Sequence, residues 1–129
     1  MHLGYVIYYV QSVAETVAFY EAAFGLKTRF VHENGLYTEM ETGETVLAFA
    51  EEGYVRSHGV HFAPLRKTLL SPGFEISLVT DNVWDAVARA VAVGAHRMTA
   101  PESKPWGQIV AYVRDLNGCL VELCTPVNH

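Results

Sequence analysis

Apolar residues recur at two different periods along the chain, and the switches between the periods outline its elements. From Leu3 to Val10 nearly every position is aliphatic or aromatic, the make-up of a buried strand. Ser12-Val13-Ala14-Glu15 then has the form of a capping box, in which a hydroxyl and a carboxylate satisfy the free N–H groups of a helix start. Val13, Val17, Tyr20 and Phe24 follow at helical spacing and make one apolar stripe. Gly25 supplies the stop, because a residue without a Cβ takes positive φ at little cost. Three strands are predicted next, near 27–32, 35–41 and 45–50, with Asn34-Gly35 and Thr42-Gly43 turning the chain between them.

The same order then returns. Residues 74–79 read as a strand, and Asp81 or Asn82 caps a helix bearing Val83, Val87, Ala90 and Val91 that Gly94 ends. Strands are predicted near 96–99, 107–114 and 119–125, the last two joined by a turn at Asp115-Leu116-Asn117-Gly118. Ser12 and Gly25 match Asp81 and Gly94 at an offset of 69, too long a period for a solenoid, so two fused halves is the better reading. The expected fold class is α+β: one domain over 1–129, with a first module at about 3–51, a connector at about 52–72 and a second module at about 73–126. Eight strands are expected, with helices near 13–24 and 83–93. The connector holds Gly53, Gly59, Pro64 and Pro72 and lacks periodicity; a connection of that length is often functional or mobile.

Composition narrows the function classes. Half of the 129 residues are hydrophobic and 18% are charged, enough for a real core and unlike a disordered chain. A formal net charge of −5 argues against nucleic acid or an anionic membrane as partner. No run of about 20 apolar residues occurs, so no membrane-spanning helix is expected. The first residues lack a basic stretch followed by an apolar core, which points to a cytoplasmic protein. Cys119 and Cys124 share one strand at opposite parity, so their side chains leave on opposite faces and read as two reduced thiols.

The chemistry concentrates in the second half. Glu75 and Ser77 alternate with Phe74, Ile76 and Leu78, which sets them on the face away from the helix. Glu122 interrupts the apolar run from Leu120 to Cys124, where an unpaired carboxylate costs several kcal/mol or takes up a proton. A hydroxyl, a metal, a cation or its own proton must satisfy it, and a carboxylate neighbour could share that proton. Tyr5, Tyr9 and Trp106 are candidates for an aromatic binding wall, with core packing as the alternative. Arg56, Arg66 and Lys67 in the connector either meet an anionic group or stay solvated. His58 and His61 are closely spaced, but other donors near them are scarce. No phosphate-binding glycine loop, Ser-His-Asp order or catalytic-cysteine setting is present.

Several segments carry a resemblance. Tyr5 to Val10, Val17-Ala18-Phe19-Tyr20, Phe24-Gly25-Leu26, Lys104 to Gln108, Arg114 to Gly118 and Val121-Glu122-Leu123 together resemble the vicinal-oxygen-chelate superfamily of glyoxalase, bleomycin-resistance and extradiol dioxygenase proteins. The likeness spans almost the whole chain. It implies two βαβββ modules whose mixed sheet curls into a cup, in a homodimer. Metal ligands in that family come from the first and last strand of each module, which implies Tyr5, Ala48, Glu75 and Glu122 here. Ala48 has no donor and Tyr5 only a phenol, so no tightly held transition metal is expected; Glu75 and Glu122 could hold a magnesium that keeps most of its waters. The resemblance then implies a small-molecule-binding protein using Tyr5, Tyr9, Ala48, Glu75, Ser77, Trp106 and Glu122, sequestering an aromatic or cationic compound such as an antibiotic. A metal-dependent glyoxalase-like lyase or isomerase, or a dioxygenase, is the alternative.

Overall fold

In a computed structural model, residues 1–127 are described, and the chain divides into two compact units, one through Leu65 and one from Arg66 onward. In the first unit, β1 (Tyr5–Val10) leads into α1 (Val13–Phe24), followed by β2 (Lys27–Val31), β3 (Tyr37–Glu41), β4 (Val46–Glu51) and the short α2 (Glu52–Ser57). In the second, β5 (Glu75–Val79) leads into α3 (Val83–Ala92), then β6 (His96–Arg97), β7 (Glu102–Ser103), β8 (Ile109–Arg114) and β9 (Leu120–Cys124). The α+β, twice-βαβββ expectation therefore holds, and both helices begin where their caps place them.

Each sheet is mixed. In the first the order is β1-β4-β3-β2, with β1 parallel to β4 and the remaining pairs antiparallel. In the second the path is β5-β9-β8-β6, with β5 parallel to β9 and β7 pairing β8 beyond the end of β6. A parallel first-to-last pairing requires a crossover, and α1 and α3 supply it by covering one face of each sheet. The first core gathers Tyr8, Tyr20, Phe49 and Met40; the second gathers Val83, Val87, Ala90, Val113, Val121 and Leu123.

Ser12 Oγ accepts from Glu15 N at 3.2 Å, and Gly25 closes α1 at φ 68°, as read from the sequence. At α3 the cap is Asn82, not Asp81: its Oδ1 accepts from Asp85 N at 3.1 Å, and its amide donates to the Asp85 carboxylate at 2.8 Å. That choice moves the repeat offset by one. Tyr5 and Val13 recur as Glu75 and Val83, seventy positions on, whereas α3 is two residues shorter than α1 and is capped by Val93, which leaves Gly94 one residue further on and at the smaller offset from Gly25. The partner of Tyr5 in the repeat is thus Glu75 and not the donorless Phe74.

Two further expectations are corrected. Nine strands occur among the described residues instead of eight. The strand expected near 96–99 keeps ladder form only at His96–Arg97, and a second two-residue strand, Glu102–Ser103, joins β8 after Pro101. Proline has no N–H to give the ladder, so the edge breaks there. Within the connector, residues 52–57 form a helix. It is too short to show a period, and its cap is the Glu51 side chain, which accepts from Gly53 N at 2.6 Å and Tyr54 N at 3.2 Å.

Candidate functional site

Strand alternation turns Ile76 and Leu78 toward α3 and leaves Glu75, Ser77 and Val79 of β5 on the opposite, outward face. Register does the rest. Glu122 of β9 stands across from Ser77 on one side and from Tyr112 of β8 on the other. The Ser77 hydroxyl donates to Glu122 Oε2. The Glu75 carboxyl lies within hydrogen-bonding reach of Glu122, Ser77 and Tyr112. Two carboxyls and two hydroxyls thus share one patch of the second sheet.

The electrostatics follow from that crowding. Desolvation and then the Glu122 carboxyl push the Glu75 carboxyl above its ordinary range, with Ser77 and Tyr112 acting weakly against them. Desolvation, then Glu122 and Glu75, push the Tyr112 phenol up. Desolvation, then Glu122 and Glu75, likewise push the Cys124 thiol up. Glu75 keeps its proton more readily than a free glutamate.

Of the other expected residues, Trp106 lies in the loop before β8 and is 61% exposed. Its indole N–H donates to Gln108 Oε1 at 2.6 Å, Gln108 donates to Thr125 O at 2.8 Å, and Gln108 also reaches the Cys124 thiol. Tyr5, Tyr9 and Ala48 lie on the sheet of the first unit. Tyr5 is 53% exposed, Ala48 is fully buried opposite Ile7, and Tyr9 packs edge-on against Phe62 with centroids 4.9 Å apart.

Sequence reasoning missed Tyr112 and a second polar group, in the first unit. There Glu39 of β3 stands across from Ala48, accepts from the Tyr37 hydroxyl at 2.9 Å and pairs with Arg29 at 3.6 Å. Burial and Glu39 raise the Tyr37 phenol well above the ordinary tyrosine range. The period-2 pattern of β3 places Tyr37 and Glu39 on one face, so the signal existed; what it lacked was the identity of the strand beside them.

A metal centre needs a convergent donor set. The two glutamates and two hydroxyls offer hard oxygen donors only, and no group of three or more His, Cys, Asp or Glu side chains able to hold an ion occurs among the described residues. That set does not fit the histidine and carboxylate ligation of zinc, nickel or iron.

Comparison with known proteins gives a consistent result. Residues 2–123 match the model of the Glyoxalase/Bleomycin resistance protein/Dioxygenase superfamily. Among solved structures, a glyoxalase-related enzyme from Fulvimarina pelagi superposes with a TM-score of 0.83 at 16% identity, over 98% of this chain and 88% of that one. A glyoxalase/bleomycin resistance protein/dioxygenase family enzyme from Burkholderia phytofirmans PsJN gives 0.73 at 18% identity, covering 97% of this chain and 98% of its own. TioX from Micromonospora sp. ML1 gives 0.73 at 20% identity with the same coverage. These likenesses are to the fold. A search of the curated proteins finds no match.

Proposed function

Since the chain belongs to the Glyoxalase/Bleomycin resistance protein/Dioxygenase superfamily, we propose that it is a small-molecule-binding protein whose carboxyl pair, Glu75 and Glu122, takes the cationic group of an aromatic ligand. The observation that carries this reading is the pair itself: two carboxyls held side by side on an outward sheet face, with Glu75 raised by desolvation and then by Glu122. An ammonium or amidinium placed between them donates N–H bonds to both carboxyls and offsets their repulsion, and an aromatic body can lie on the exposed Trp106 of the same unit. Sequestration of such a compound, an antibiotic for example, needs no catalysis. An added divalent cation would compete for the same two carboxyls. The homodimer expected of the family belongs to this reading, and sedimentation velocity at micromolar concentration should then show a dimer.

The test is a thermal-shift comparison of benzamidine, benzoate and a glyoxal–thiol adduct. Benzamidine should raise the melting temperature most. The shift should shrink as pH falls from neutrality through the raised Glu75 range, because protonation removes the charge that the ligand needs. Without ligand the sign reverses. Glu75 binds its proton more tightly folded than unfolded, so its contribution, read as wild type minus Glu75→Gln, should favour the folded state increasingly as pH falls through that same range. Stabilisation by benzoate or the adduct above that by benzamidine would reject the cationic site, and turnover of the adduct would favour the lyase alternative.

A further inference from the structure

The second unit holds another concavity, lined by neither member of the carboxyl pair and chemically its opposite. It encloses about 250 Å³ and is lined by Lys67, Gly94, His96, Arg114, Asp115 and Gly118. Its basic residues come from three places in the chain. Lys67 precedes β5, His96 lies on β6, and Arg114 ends β8 directly across from His96 in the ladder.

Arg114 is fixed in place. Its Nε and Nη2 donate to Gly118 O at 3.0 and 2.9 Å, Nη1 donates to Lys67 O at 3.1 Å, and Nη2 donates also to Arg66 O at 3.2 Å and Leu69 O at 2.5 Å. These carbonyl dipoles orient the guanidinium but leave its formal charge in place. Gly118 makes the approach possible: at φ +90°, a Cβ there would stand 2.5 Å from both Arg114 Nη2 and Arg66 O. The acid in the wall, Asp115, is buried, and its Oδ1 accepts from Asn117 N and Cys119 N at 2.8 Å each, so that oxygen is turned to the hairpin main chain. Lys67 and His96 are exposed. Lys67 and Arg114 outnumber Asp115, so the lining carries a net positive formal charge on a chain whose formal net charge is −5, and a concave wall concentrates such a local field. Its volume is below the roughly 300–1,000 Å³ of sites that take drug-sized ligands, so its occupant is small.

We propose that this pocket binds a small oxyanion, either free phosphate or the phosphoryl group of a phosphomonoester. Lys67 and His96 contact the oxygens, and Arg114 contributes a fixed positive field from the wall. The proposal is independent of the cationic-ligand reading, because it uses none of the same side chains.

Amide chemical shifts in the full chain, titrated with inorganic phosphate and with phenyl phosphate against sodium chloride of equal ionic strength, test it. Saturable shifts are expected at residues 67, 94–96, 114 and 118. Lys67→Gln should weaken binding about ten-fold, as loss of a charge-assisted contact does, and His96→Gln should weaken it further. Lys67→Gln retains the main-chain carbonyl that Arg114 uses, so the fold should not change, and Glu122→Gln should bind phosphate as the wild type does. Tighter binding of phenyl phosphate assigns the site to a phosphomonoester, and equal affinity assigns it to free phosphate. Shifts that never saturate, or that persist unchanged in both Lys67→Gln and His96→Gln, would overturn the proposal.

Discussion

Glu122→Gln is expected to weaken benzamidine binding by about ten- to hundred-fold, the effect of removing one charged acceptor worth roughly 1.5–3 kcal/mol, while leaving the fold intact. The amide keeps the shape of the side chain, and its oxygen can still accept from the Ser77 hydroxyl. Its nitrogen can donate to the Glu75 carboxyl, so the like-charge crowding that raises Glu75 in the wild type is relieved. The unliganded variant should therefore melt at or above the wild-type temperature. Calorimetric titration of both proteins gives the affinities, and thermal melts give the stability. Glu39→Gln is the control: it removes a carboxylate of the first unit that already has Arg29 and Tyr37 as partners, and should leave benzamidine affinity unchanged. Equal affinities of wild type and Glu122→Gln would make the pair a structural feature of the sheet.

The largest stability effect is expected at Phe49→Ala. Phe49 is fully buried on β4, between the ring of Tyr20 at 4.9 Å and that of Tyr8 at 6.0 Å. Truncation removes most of the side-chain burial and leaves a void walled by strands that cannot close on it, at a cost of about 3–5 kcal/mol. For a chain of this length that corresponds to a fall in melting temperature of roughly 10–20 °C. Phe30→Ala on β2 makes the comparison, since Phe30 is 47% exposed and its loss should cost no more than about 1 kcal/mol. Urea unfolding of the two variants measures both. A Phe49→Ala loss below that of Phe30→Ala would show that the first unit's core does not centre on this residue.

Local chemistry determined much of this protein. Residue make-up, hydrophobic period and capping residues placed β1, α1, β5 and α3. Ser12 and Gly25 marked the ends of α1 because caps act through neighbouring backbone groups. Period 2 also put Glu75 and Ser77 on one face of β5, and the apolar run around Glu122 showed that a carboxylate there must find company.

Tertiary structure decided which company. The four-residue turn read at Asp115–Gly118 closes one residue later, because Asp115 N donates to Cys119 O while Asp115 Oδ1 accepts from Cys119 N. That single step sets Tyr112 rather than its neighbours against Glu122. A one-residue change of register exchanges every facing side chain, and nothing within a strand records the register of its partner. The same limit hid Glu39 beside Ala48 in the first unit. It also hid the use of Arg114, which holds carbonyls more than forty positions away in sequence. Sequence periodicity gives each residue a face; the pairing of strands, fixed by hairpin geometry and by helical crossovers, gives it neighbours, and the candidate chemistry of this chain resides in those neighbours.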